Sequence, residues 1–88
     1  MASLWNLDKT KGDSGARSEA IEWNEDGSFK KVVGRKPIIG CSMLVGAISA
    51  RSYSYQDYWL TSPVEEILEE KENYVKFKTK NTVYEWKE

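Results

Sequence analysis

The sequence has no histidine, one cysteine, two prolines and no excess of either charge: 13 Lys+Arg stand against 14 Asp+Glu over 88 residues. Each shortage excludes something. Without histidine the chain lacks the usual general base at neutral pH and the commonest metal ligand. One cysteine, Cys41, permits neither an internal disulfide nor a thiolate zinc cluster, so no cofactor, no metal site and no catalytic residues are expected. A net charge of −1 supplies no global field for nucleic acid or anionic lipid, and any such binding has to come from a local patch. Residues 37–50, the longest uncharged stretch, fall short of the roughly 20 apolar residues of a membrane helix. The start, Met1 to Asp8, has neither the basic nor the apolar part of a signal peptide. No membrane partner is expected, and a cytoplasmic protein with a reduced Cys41 is.

What is present points to a folded chain. Hydrophobic residues make up 40% and aromatic residues 12%, too rich in Trp and Tyr for disorder. The length suits one small domain. Residues 1–18 read as a mobile N-terminal arm, because Asp8 to Gly15 form a polar cluster without apolar period. Residues 19–88 then form a single small β domain. Within it, Asn24-Glu25-Asp26-Gly27 suits a type I turn closed by a left-handed glycine, which predicts a hairpin between Ala20-Ile21-Glu22-Trp23 and Phe29 to Val33. A short helix over 14–23 is the competing reading. Pro37 cannot donate to a ladder, so a new element starts after it, and the apolar run from Cys41 to Ile48 reads as the central strand.

The C-terminus gives the sharpest local prediction. Residues 74–79 and 82–87 alternate with period 2 across Lys80-Asn81. Pairing across that link sets Thr79 opposite Thr82, Phe77 opposite Tyr84 and Val75 opposite Trp86 on one face, with Lys76 opposite Glu85 and Lys78 opposite Val83 on the other. Residues 63–72 are ambiguous. Ser62-Pro63-Val64-Glu65 is a capping box with proline at the first helical position, but Glu69, Glu70 and Glu72 would crowd the negative end of a helix. A strand over 64–69, turning at Lys71-Glu72-Asn73 and setting glutamates beside Lys76 and Lys78, is preferred because a lone hairpin is marginal. The fold expected is mainly β: a small antiparallel barrel or roll, SH3-like, of five to six short strands. Closure would remove exposed edges.

Four constellations bear on function. Gly12-Asp13-Ser14-Gly15 matches the core of a serine-protease signature, but without histidine no triad exists and turn chemistry accounts for it. Asp57, Glu65, Glu66, Glu69, Glu70 and Glu72 cluster as a solvated acidic face, with an enzyme acting through Asp57 or Glu66 as a lesser reading. Residues 27–56 hold Lys30, Lys31, Arg35, Lys36 and Arg51 and no acid, which with nearby rings supplies the ingredients of a single-stranded nucleic-acid surface. From Arg51 to Trp59 the chain places three tyrosines and a tryptophan beside an arginine, the residue types of binding hot spots. Trp59, next to Leu60, is expected in the core. Cys41, in an apolar run, is expected to be buried and unreactive.

The segments Tyr58-Trp59-Leu60-Thr61-Ser62-Pro63-Val64-Glu65-Glu66-Ile67 and Val75-Lys76-Phe77-Lys78-Thr79-Lys80-Asn81-Thr82-Val83-Tyr84 resemble the C-terminal half of small uncharacterised bacterial and phage-borne β proteins. The resemblance implies strand rather than helix over 64–69 and a viral or prophage origin. It implies no catalytic residues. The expectation is therefore a non-enzymatic binding module that docks on a protein partner through Arg51, Tyr53, Tyr55, Asp57 and Tyr58. The alternatives are single-stranded nucleic-acid binding through Lys30, Lys31, Arg35, Lys36 and Arg51, and a structural subunit of a larger assembly; a homo-oligomer is compatible with each.

Overall fold

The computed structural model describes residues 1–46 and 58–88. The C-terminal meander forms as the side-chain pattern dictates. Strand β7 (Glu66–Lys71) turns into β8 (Tyr74–Lys78), and β8 pairs with β9 (Val83–Lys87) with Val75 opposite Trp86, Lys76 opposite Glu85 and Phe77 opposite Tyr84. Thr79 donates its N–H to the Thr82 carbonyl at 2.9 Å, which closes the turn in the expected register. Val75, Phe77, Tyr84 and Trp86 point into the core, where burial of each large apolar side chain contributes about 1.5–3 kcal/mol. Residues 66–71 are strand, and no helix occurs among the described residues. Glu66 faces Lys78 and Glu69 faces Lys76 across a bulge. Opposite charges across the ladder favour this pairing, whereas a helix would have gathered the glutamates at its negative end.

Residues 1–18 are not a mobile arm. They form β1 (Ala2–Asn6) and β2 (Gly12–Gly15), with β1 paired to β9 so that Leu4 lies opposite Trp86. The polar cluster is ordered locally by Asn6, whose side-chain oxygen accepts the Thr10 and Lys11 N–H groups at 2.9 and 3.1 Å. Gly12 lets the strands close: at φ +152° it sits where an added Cβ would overlap the Leu4 carbonyl oxygen. The Gly12-Asp13-Ser14-Gly15 tetrapeptide is thus an edge strand, not a turn.

The hairpin read around Asn24 to Gly27 is present as β3 (Arg17–Trp23) and β4 (Phe29–Gly34), with Gly27 at φ +87°. Strand β5 (Ser42–Gly46) is buried throughout and sits inside its sheet between β3 and the short β6 (Tyr58–Leu60). The nine strands of the described residues form two antiparallel sheets, ordered β2-β1-β9-β8-β7 and β4-β3-β5-β6. This is a small, mainly antiparallel β fold, but with more strands than the five or six expected and with no barrel closure. A parallel bridge joins Ile39, between β4 and β5, to Val64, between β6 and β7, and among the described residues each sheet has two edge strands.

A single core fills the space between the layers. Leu4, Val75, Phe77 and Trp86 enter from one sheet and Ala20, Met43 and Val45 from the other. Between them runs a short polar relay. Trp86 Nε1–H donates to Ser18 Oγ at 3.0 Å, and Ser18 Oγ–H donates to the Arg35 carbonyl at 2.7 Å. No described helix is long and apolar enough to cross a membrane.

Candidate functional site

The period of 2 that sends Ser18 and Ala20 inward sends Arg17, Glu19, Ile21 and Trp23 to the opposite face of the four-stranded sheet. Leu44 of β5 and Tyr58 and Leu60 of β6 join them, and Phe29 and Val32 of β4 complete one wall. Together these side chains line a groove of about 350 Å³. Strand register orders it along its length. Arg17, Gly46 and Tyr58 stand abreast at one end, then Glu19, Leu44 and Leu60, while Trp23 and Phe29 pair at the other. One end is therefore polar and the other aromatic.

Local bonds hold the walls in place. The Trp23 ring is anchored by its Nε1–H, which donates to the buried Ser42 Oγ at 2.8 Å. Arg17 Nε meets Glu19 Oε1 at 2.7 Å, two residues along the same strand face, which sets one ion pair at the polar end. Phe29, Val32 and Leu60 remain 58%, 43% and 39% exposed. A concave face of rings and aliphatic side chains with one paired charge suits the seating of apolar groups.

The expected site residues fall in different places. Tyr58 lines the groove. Arg51, Tyr53, Tyr55 and Asp57 lie outside the described residues. Of the expected basic residues, Lys30 and Lys31 lie on β4 and Arg35 and Lys36 follow it. Lys30 and Lys31 both approach Glu22, at 3.8 and 3.9 Å, Arg35 Nε donates to Glu88 Oε1 at 3.0 Å, and Lys36 Nζ reaches the Lys71 carbonyl at 3.5 Å. Trp59 is half-buried; it packs against the core and its Nε1–H donates to the Tyr84 hydroxyl at 3.3 Å. Of the acidic residues, Glu65, Glu66, Glu69, Glu70 and Glu72 are exposed. Among the described residues no group of three or more acids or thiols converges on a point that could hold a metal ion. Cys41 is buried, and burial, with the Glu22 charge second, pushes its thiol pKa up.

Apart from Tyr58, the residues that build the groove were not singled out by composition. Their signal was present in the hairpin: Trp23 and Phe29 flank the Asn24 to Gly27 turn, so pairing of the two arms sets the rings side by side. Leu44 and Leu60 carried no such signal, because only the sheet order brings β5 and β6 onto the same face. On the solvent face of the other sheet the Tyr74 hydroxyl donates to Glu85 Oε2 at 2.6 Å, and Lys9 Nζ lies 3.4 Å from Glu85 Oε1. That bond raises the Tyr74 pKa to about 12 and lowers that of Glu85.

Comparison of the chain with protein-family models, curated proteins and solved structures finds no match.

Proposed function

We propose that this protein is a non-enzymatic binding module and that the groove on the four-stranded sheet seats the apolar side chains of a protein partner. One observation carries the reading: Phe29, Val32 and Leu60 stay more than a third exposed around an anchored Trp23, a contiguous apolar surface where a sheet face is otherwise polar. Aromatic residues and arginine are the side chains that dominate binding energy at protein interfaces. The tyrosine-rich run from Arg51 runs directly into Tyr58 at the polar end of the groove, so the two candidate surfaces adjoin in sequence. A phage or mobile-element setting and a reducing cytoplasmic location accompany this proposal, the first from the resemblance of residues 58–67 and 75–84, the second from the single unpaired Cys41.

The test places a photo-crosslinking phenylalanine analogue at position 29 in host lysate with and without nuclease. A discrete protein adduct that persists after nuclease and disappears in Leu60→Ser, with an unchanged thermal midpoint, supports the reading. Loss of the adduct on nuclease treatment, or its survival in Leu60→Ser, overturns it. Basic residues drawn along β4 beside Glu22 and Glu88 favour protein over nucleic acid as the partner, and salt-independent failure to bind labelled single strands is the matching expectation.

A further inference from the structure

Among the described residues each sheet ends in a six-residue strand with no partner along its outer edge, β4 in one and β7 in the other. Both are exposed over most of their length. Their charges are opposite. Strand β4 carries Lys30 and Lys31 and no acid, whereas β7 carries Glu66, Glu69 and Glu70 against one lysine. Each edge also exposes apolar side chains that an isolated chain leaves in water: Val32 and Val33 on β4, Leu68 on β7.

An open edge is a template for another strand, and like charges placed directly opposite across a ladder are destabilising. Pairing β4 with β4 joins two strands of net positive charge, and pairing β7 with β7 joins two of net negative charge. Of the pairings between these two edges, β4 against β7 is the one that joins strands of opposite net charge, and it covers Val32 or Val33 with the apolar part of the other edge. The Lys30 and Lys31 contacts with Glu22, at 3.8 and 3.9 Å on exposed side chains, are long and weak and do not compete with this. Glu70 has the uncharged Val75 as its cross-strand neighbour, so its charge is unmatched within the ladder. We propose that β4 of one copy pairs with β7 of a second copy, so that the protein self-associates edge to edge through strands of opposite charge. Strand β4 also lends Phe29 and Val32 to the groove wall, so the two surfaces adjoin, but the edge pairing rests on strand charge and backbone and does not depend on the groove's partner.

Mixed charge reversal tests it. Weight-average mass is measured by sedimentation equilibrium for the wild-type chain, for Lys30→Glu/Lys31→Glu and for Glu66→Lys/Glu70→Lys, at low salt and at about 1 M salt, where the screening length is about 3 Å. The wild type should associate at low salt and fall to monomer at high salt. Each reversed variant alone should stay monomeric, and their equimolar mixture should regain association. The single change Glu70→Lys serves if the double change, which also removes the Glu66 to Lys78 pairing, fails to fold by circular dichroism. A wild type that stays monomeric at millimolar concentration and low salt overturns the proposal. So do self-association of either reversed variant and a mixture that stays monomeric.

Discussion

The indole N–H of Trp86 donates to Ser18 Oγ at 3.0 Å, joining β9 of one sheet to β3 of the other across 68 residues of sequence. Both groups are buried, and the same Ser18 hydroxyl satisfies the Arg35 carbonyl. Ser18→Ala therefore strands two polar groups at once. An unsatisfied buried group costs about 1–3 kcal/mol, so the unfolding free energy from urea titration should fall by at least that much in Ser18→Ala, while Ser18→Thr should recover part of the loss. A midpoint within error of wild type would show that water replaces the serine.

Gly12 and Gly27 separate steric overlap from backbone conformation. Both have positive φ, but an added Cβ at Gly12 meets the backbone of Leu4 and Trp5, whereas at Gly27 it meets open space. Gly27→Ala should cost about 1–2 kcal/mol for the left-handed conformation alone. Gly12→Ala should cost more, and its amide exchange should quicken along β1 and β2. Equal costs at the two sites would contradict the close approach.

Tyr74 and Glu85 make stability depend on pH at both extremes. The raised Tyr74 pKa means that its contribution is fully present below the ordinary tyrosine value near 10 and is lost as pH rises through about 12. The lowered Glu85 pKa means that its contribution is present above the ordinary carboxylate value and lost as pH falls through the folded value. Both side chains are half-buried on the solvent face of the sheet, where water screens the bond, so the effect on stability is small and absorbance titration is the better measurement. One tyrosinate should appear near pH 12, and Glu85→Gln should bring it back toward 10.

Cys41 offers a check on the core. Its buried thiol and raised pKa predict slow reaction with a thiol reagent in buffer and rapid reaction in urea. Fast reaction under native conditions would place the sulfur at the surface.

Much of this fold is written locally. Period-2 alternation from Tyr74 to Lys87 determines both register and buried face, because a one-residue slip would put Lys76 and Glu85 in the core. The turn at Asn24 to Gly27 is likewise a short-range matter of one glycine and the Asp26 carboxylate, which accepts the Ser28 N–H at 3.0 Å. The N-terminal strands escaped such reading. Their order depends on Leu4 meeting Trp86, a partner at the far end of the chain, and no local period announces it.

The same division applies to the groove and the edges. By itself the sequence determined the strand character of residues 20–33 and 74–87, the register of the C-terminal hairpin and the separation of a basic stretch from an acidic one, since these follow from residue type and short-range spacing. The tertiary structure alone decided that Leu44 and Leu60 share a face with Trp23 and Phe29, and that among the described residues β4 and β7 are edge strands of opposite charge. Sheet order sets both, and it comes from long-range packing of two layers around Leu4, Met43, Phe77 and Trp86, which no local pattern encodes.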